Sequence, residues 1–218
     1  MLDRTLAGAV FPLPQAESYV AERRSVNGRI RPLRWRYVRN VERTELARRI
    51  YDAAHLTGTF TLRSGVVSHE YFDKYRFESD PALLADIATA CAPLVPEAMD
   101  ALAGLELGGV PLATMISQVT RLPAVFVRKE AKTYGTCRLA EGAEVDGRTL
   151  CIVEDVVTSG GALLDAAREL RARGARLGPV ICVIDRESGG VEKLAAADLQ
   201  LAPLYTMSEL NAAAAAGA

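Results

Sequence analysis

The chain has 218 residues, half of them hydrophobic, with 26 Lys and Arg against 27 Asp and Glu and a formal net charge of −1. That composition supports one domain with a sizeable core and room for an added arm, and the near-balanced charge argues against a general nucleic-acid binder. His55 and His69 are the only histidines, which excludes a His-rich metal site, and no apolar stretch is long enough to span a membrane.

Residues 1–40 read differently from the rest. Ala7 to Pro14 is apolar but broken by Pro12 and Pro14, too short and wrongly flanked for a signal peptide. Arg23, Arg24, Arg29, Arg31, Arg34, Arg36 and Arg39 follow, interleaved with Trp35 and Tyr37. Basic residues among aromatics can touch nucleic acid or a membrane surface. The plainer reading is a poorly ordered arm outside the domain, and we expect no nucleic-acid or membrane partner. Cys91, Cys137, Cys151 and Cys182 are far apart, without a C-x-x-C pair or a secretory signature. They read as reduced packing thiols of a cytoplasmic protein.

From Val41 the pattern becomes regular. Leu46, Ile50, Tyr51 and Ala54 recur at helical spacing, and Gly58 is the expected stop. Phe60-Thr61-Leu62 is a short strand, Arg63-Ser64-Gly65 turns it, and Tyr71-Phe72-Asp73 begins another extended piece. Asp80-Pro81 caps a helix from Ala82 to about Leu94. A strand from Leu102 to Leu107 runs into Gly108-Gly109-Val110-Pro111 and a further helix. Ala124 to Val127 is a strand. The charged run Arg128-Lys129-Glu130-Ala131-Lys132-Thr133-Tyr134-Gly135 follows it, in a polar stretch reaching Gly147. Such a run is commonly a solvated loop, but loops of this length in compact domains are often mobile lids.

Arg148 to Asp155 is the central strand. It ends in Glu154-Asp155-Val156-Val157-Thr158-Ser159-Gly160-Gly161, and helical spacing resumes from Leu163. A buried strand that enters a tight loop and opens a helix makes an anion site, because the loop amides and the first helical N–H groups point at one spot. Gly160 and Gly161 allow close approach of a phosphate, and Thr158 and Ser159 add hydroxyl donors and can cap the helix. Glu154 and Asp155 would repel a phosphate beside them, but a few residues away they suit a ribose diol, accepting two O–H bonds. A phosphate at one end and a diol at the other describe a ribose 5-phosphate. No Lys-Ser/Thr follows the glycines, and the G-x-G-x-x-G spacing is absent, so neither a Walker loop nor a dinucleotide fingerprint is present. Val180 to Asp185 is the next strand, followed by Arg186, a short helix at Val191 to Ala197, a strand near Leu199 to Leu204 and a small helix from Ser208. Alternation of strands and helices implies an α/β fold with a mostly parallel sheet flanked by helices.

The unit from Val153 to Gly161 closely resembles the phosphoribosyl-pyrophosphate signature of the type I phosphoribosyltransferases. Phe60 to Gly65 with Ser68, Tyr71 and Phe72 is similar to the N-terminal hood of the orotate phosphoribosyltransferases, and Arg128-Lys129-Glu130-Ala131-Lys132 to their flexible loop. The resemblance covers about residues 41–211: a small hood over about 41–80, a core over about 81–211, and an Ala-rich tail from Ala212 that frays. It implies that Glu154 and Asp155 hold the ribose hydroxyls and that Thr158, Ser159, Gly160 and Gly161 hold the 5′-phosphate. It further implies that Gly108 and Gly109 cradle the pyrophosphate by backbone amides, although some members carry Lys where Gly108 stands. Tyr71 and Phe72 would face the base and Arg186 its carboxylate, while Arg63 stands where Lys is usual and Tyr134 where many members have His. Arg128, Lys129 and Lys132 would stabilise the leaving group, in the neighbouring subunit of a homodimer. Asp155, Lys129 and Lys132 are then the expected catalytic residues, with Mg2+ as cofactor held mainly by substrate and water. The implied activity joins orotate to phosphoribosyl pyrophosphate. Alternatives are a transferase for another base, or a non-catalytic regulator that senses phosphoribosyl pyrophosphate.

Overall fold

The computed structural model describes residues 41–61, 65–129 and 139–216, and the backbone of four strands before them. The chain divides into two compact units, Met1–Val41 and Glu42–Ala218. In the first, β1 (Tyr19–Glu22) pairs antiparallel with β4 (Arg34–Tyr37), Tyr19 opposite Tyr37. Likewise β2 (Ser25–Val26) pairs with β3 (Arg29–Ile30). Both ladders fall in the stretch that the sequence sets apart as an arm. Tyr, Val, Ile and Trp residues favour extended chain.

The second unit begins with α1 (Arg43–Ala54), whose N-cap Glu42 accepts hydrogen bonds from the amides of Thr44 and Glu45 at 2.8 and 3.0 Å. The helix stops at Ala54, short of Gly58, because His55 already pairs with Phe72 in a hairpin of β5 (His55–Thr61) and β6 (Val67–Phe72). For the same reason Tyr71 and Phe72 close a strand and do not open one. That hairpin is the hood. Helix α1 also packs on the C-terminal helix, where Arg43 reaches Glu209 at 3.0 Å, and on the strand before it, whose Tyr205 donates its hydroxyl to the Arg43 carbonyl at 2.7 Å.

Asp73 turns the chain out of the hairpin. Its amide donates to the Ala54 carbonyl at 2.8 Å, and its carboxylate accepts from the Tyr75 amide at 3.2 Å, starting the short α2 (Tyr75–Ser79). Asp80 then caps α3 (Pro81–Cys91), accepting from Ala82 and Leu83 with Pro81 at the first turn. A single 3-10 turn, Ala92–Leu94, completes the helical stretch predicted to reach Leu94.

The core sheet holds β7 (Ala101–Leu105), β8 (Ala124–Val127), β9 (Ala140–Gly142), β10 (Thr149–Val157), β11 (Arg176–Asp185) and β12 (Leu201–Thr206). The order is β12-β11-β10-β7-β8-β9, and every pairing is parallel except β8 with β9. Helices α4 (Gly109–Thr120), α5 (Gly161–Ala172), α6 (Gly190–Ala195) and α7 (Met207–Ala216) alternate with the strands. Leu150 and Ile152 of β10 join Leu163, Ala167, Leu170 and Leu194 of α5 and α6 in one apolar layer. Cys151 and Val153 are equally buried on the other face, where α4 packs. A strand buried on both faces reads as the unbroken apolar run seen at Leu150–Val153. Cys91, Cys151 and Cys182 are free and buried, and burial pushes the thiols of the first two up to about 12.

The Ala-rich tail is the clearest departure at this end. Helix α7 runs through Ala212 to Ala216 with Ala213 buried, so the chain expected to fray from Ala212 stays helical. Alanine has the best intrinsic helix propensity, and the anchor at Leu210, fully buried, holds the preceding turn.

Candidate active site

Three strand ends meet at the carboxyl edge of the sheet. The chain leaves β7 toward β8 on one side and leaves β10 toward β11 on the other, so the turns after β7 and β10 diverge and open a crevice between them. Ligands of doubly wound sheets bind at such a switch point. The turn after β11 carries Asp185 and Arg186.

The first turn is Glu106-Leu107-Gly108, and Gly109 begins α4. A Cβ on Gly109 would fall 2.3 Å from the Val153 carbonyl oxygen, and one on Gly104 would fall 2.3 Å from that of Gly109. The turn therefore lies flat against β10. A Cβ on Gly108 would fall 1.7 Å from Asp155 Oδ2 and 2.7 Å from Glu78 Oε1, so this backbone touches the carboxylates directly. No side chain caps α4; the Val110 amide donates to the Leu107 carbonyl at 3.2 Å and Pro111 has no N–H, so the Gly109 amide is the one left to a ligand or water in the first turn.

In the second turn Thr158 and Ser159 are exposed, and neither caps α5, contrary to the sequence expectation. The N-cap is Gly160, at φ +72°, a left-handed conformation that glycine adopts without the Cβ penalty. The hydroxyls of Thr158 and Ser159 and the first amides of α5 are accordingly left for an anion.

Glu154 and Asp155 lie between the two turns. Asp155 is fully buried, its Oδ1 accepts from the Val156 amide at 2.5 Å, and its Oδ2 meets the Lys74 ammonium at 2.5 Å. Burial alone would raise its pKa, but hydrogen bonds with Glu154 and Lys74 and the Lys74 charge outweigh it and hold the carboxyl below the ordinary range. Glu154 moves the other way: burial, then the hydrogen bond and charge of Asp155, push it well above. The two carboxyls therefore titrate as a coupled pair, Asp155 losing its proton before Glu154.

Lys74 and Glu78 belong to this cluster and carry no motif. Lys74 stands between the hood hairpin and α2. Burial lowers its pKa, yet the Asp155 hydrogen bond and charge leave it raised overall. Glu78, on α2, is raised to about 8, by burial first and then by the Asp155 charge. In the folded protein it keeps its proton to about pH 8, whereas the unfolded chain loses it near 4.5. Between those values the folded state holds more protons, so this group makes stability fall as pH rises; the penalty is absent below and complete above. Glu78→Gln should therefore gain Tm relative to wild type from about pH 5 to about pH 9. A difference that stays constant across that range contradicts the assignment.

Beyond the carboxylates, a cavity of about 340 Å3 is lined by Tyr51, His55, Tyr71, Phe72, Arg186 and Asn211 among others. Phe72 faces Arg186, whose guanidinium carbon lies 6.0 Å from the ring centre, and meets Tyr51 edge-on at 6.5 Å. Tyr71 packs on Phe60 at 5.4 Å. Tyr51, His55 and Asn211 were not picked out by sequence, because nothing local marks a helix residue, a strand end and a C-terminal helix as neighbours.

Arg128 and Lys129 leave β8 beside the first turn. The Arg128 amide donates to the Leu139 carbonyl at 2.9 Å, and the exposed Lys129 donates its amide to Glu106 Oε1 at 2.6 Å. The turn and the start of the charged run are thereby tied together. Arg63, Lys132 and Tyr134, and with them the proposed lid, lie outside the described residues.

Comparison with known proteins agrees with this geometry. Residues 76–200, over half of the chain, match the phosphoribosyl transferase domain. An orotate phosphoribosyltransferase of Nocardioides sp. is 54% identical over 173 residues, covering 79% of this chain and 97% of that protein. The orotate phosphoribosyltransferase of Mycobacterium tuberculosis H37Rv, solved in complex with Fe(III) dicitrate, superposes with a TM-score of 0.69 at 32% identity, over 77% of this chain and 98% of that one. Solved in complex with 5-phospho-alpha-D-ribosyl 1-diphosphate, it superposes with a TM-score of 0.66 at 28% identity, over 78% and 98%. With the glycine turn, the paired carboxylates and the Arg186 cavity on one sheet edge, and relatives matched over nearly their whole length, the chain belongs to the orotate phosphoribosyltransferase family.

Proposed function

We infer that the chain transfers the phosphoribosyl group of phosphoribosyl pyrophosphate to orotate, giving orotidine 5′-phosphate and pyrophosphate, a step of de novo pyrimidine synthesis. The observation that supports this reading is that the paired carboxylates and the glycine turn after β10 stand on one sheet edge beside a cavity holding an exposed guanidinium and an aromatic face. The bond between the anomeric carbon and pyrophosphate breaks, the electron pair leaves with pyrophosphate, and a ring nitrogen of orotate takes the carbon. Positive charge builds on the ribose and negative charge on the leaving group, so the protein needs no nucleophile of its own. It positions the reactants and neutralises charge.

Each residue then has a task. Glu154 and Asp155 accept the ribose hydroxyls. Thr158, Ser159 and the amides at Gly160 and Gly161 hold the 5′-phosphate. Gly108 and Gly109 offer amides to the pyrophosphate, and Arg128, Lys129 and Lys132 supply its countercharge. Phe72 and Tyr71 cover the base, and Arg186 forks onto its carboxylate. The carboxylates beside Gly108 are hard oxygen donors of the kind magnesium takes. Magnesium, when bound, supplies a Lewis acid for the pyrophosphate oxygens; Glu154 and Asp155 would hold it through water and the ribose hydroxyls.

We further propose a homodimer in which Lys129 serves the neighbouring site, and a cytoplasmic location, supported by the free buried thiols. Among the described residues no helix is long and apolar enough to cross a membrane.

Arg186 gives the test of base recognition. Losing a charged hydrogen-bonding partner costs about 1.5–3 kcal/mol. Arg186→Ala should therefore raise the KM for orotate roughly 10- to 100-fold, with the KM for phosphoribosyl pyrophosphate within about threefold of wild type. Equal loss for both substrates would place Arg186 outside the base site and remove the support for an acidic base.

A further inference from the structure

Two independent observations converge on one atom. Asp155 Oδ2 meets the Lys74 ammonium at 2.5 Å, and the same oxygen abuts the Gly108 backbone so closely that a Cβ there would sit 1.7 Å away. The turn consequently has no room for a side chain and can offer only amides to a highly charged leaving group. The Lys74 side chain, about one-third exposed, enters the crevice from the hood side and holds its charge at the mouth of that turn. Its partner, Asp155, is the carboxylate assigned to the ribose hydroxyls, so substrate and Lys74 compete for the same oxygen.

We propose that Lys74 is a pyrophosphate-binding residue: ribose hydroxyls take its place on Asp155, and its ammonium turns onto the leaving group beside Gly108. This rests on the transferase reading above. The cation that a side chain at Gly108 cannot provide comes instead from the junction of β6 and α2. A flexible four-carbon stem with three donors suits such a change of partner, and the junction links hood position to pyrophosphate binding. Once the bond to the anomeric carbon breaks, pyrophosphate carries the released electron pair, and the ammonium neutralises part of that charge without giving up a proton.

The experiment measures, by calorimetry, binding of inorganic pyrophosphate to protein saturated with ribose 5-phosphate, which supplies the diol, and separately binding of orotidine 5′-phosphate, for wild type, Lys74→Met and Lys74→Arg. Lys74→Met should weaken pyrophosphate about 10- to 100-fold, as the loss of a charge-assisted hydrogen bond implies. Orotidine 5′-phosphate should bind within about threefold of wild type, because its diol then meets an uncontested Asp155. Lys74→Arg should keep most of the pyrophosphate affinity. Asp155→Asn with Lys74→Met leaves no unbalanced charge, so comparing it with Asp155→Asn alone provides the same reading should the single Lys74→Met variant fail to fold. Unchanged pyrophosphate affinity with a lowered Tm would make Lys74 a structural counter-charge and overturn the proposal. Equal loss for both ligands would overturn it too, assigning Lys74 to Asp155 and the ribose. Failure of the wild type to use orotate sinks the transferase reading instead, and is seen separately.

Discussion

Lys129→Ala should lower kcat and kcat/KM together, by about 100- to 1,000-fold, with little change in Tm. A group that neutralises charge appearing only in the transition state acts on both constants alike, and removing one such donor costs about 2.7–4 kcal/mol. The fold should tolerate the change, because the Lys129 side chain is exposed and the tether to Glu106 uses its backbone amide, which alanine keeps. Substitution of an exposed side chain usually shifts stability by less than about 0.5 kcal/mol. Steady-state rates with both substrates varied, beside a melting curve, give the answer. The proposed dimer sharpens it. Inactive Lys129→Ala chains mixed with inactive Asp155→Asn chains should recover part of the activity, because each mixed dimer has one site with neither lesion. Verified mixed dimers that stay inactive would place Lys129 in its own chain's site.

Asp155→Ala should damage both stability and binding. Its carboxylate is fully buried and balances Lys74. Breaking a buried pair from one side leaves an uncompensated charge and costs about 3–5 kcal/mol. The partly exposed Lys74 places this case toward the lower figure, and a drop in Tm of roughly 6–15 °C follows for a unit of this size. Binding of phosphoribosyl pyrophosphate should fall as well, since the diol loses an acceptor. A second consequence is electrostatic. The Asp155 charge helps to raise Glu78 and Glu154, so both should ionise at lower pH in the variant. A variant that melts with wild type and binds phosphoribosyl pyrophosphate equally well would remove Asp155 from the site.

What the sequence reveals of this site follows contact range. Glu154 to Gly161 is legible because strand, turn and helix N-terminus are consecutive, and their chemistry depends on one local backbone path. Gly108 and Gly109 are legible for the same reason, although only the structure explains why the turn admits no side chain there: β10 and Asp155 press against it. Lys74 and Glu78 are invisible in the sequence. Their roles depend on the β5–β6 hairpin delivering α2 to the end of β10, and no residue spacing encodes that. Gly58 reads as the end of α1, but a long-range pairing, His55 with Phe72, overrides that local stop signal. At the other end, the alanines after Asn211 read as a frayed tail, yet the buried Leu210 and Ala213 keep them in α7.

This sheet edge should move a phosphoribosyl group onto an acidic pyrimidine. The purified chain should be incubated with magnesium and phosphoribosyl pyrophosphate against a panel of orotate, uracil, adenine, guanine and hypoxanthine, with product and pyrophosphate quantified together. Orotate should be consumed, orotidine 5′-phosphate and pyrophosphate should appear in equal amounts, and chelating the metal should stop both. Orotate left untouched while another base is consumed, or no turnover with any base despite tight binding of phosphoribosyl pyrophosphate, would contradict that expectation.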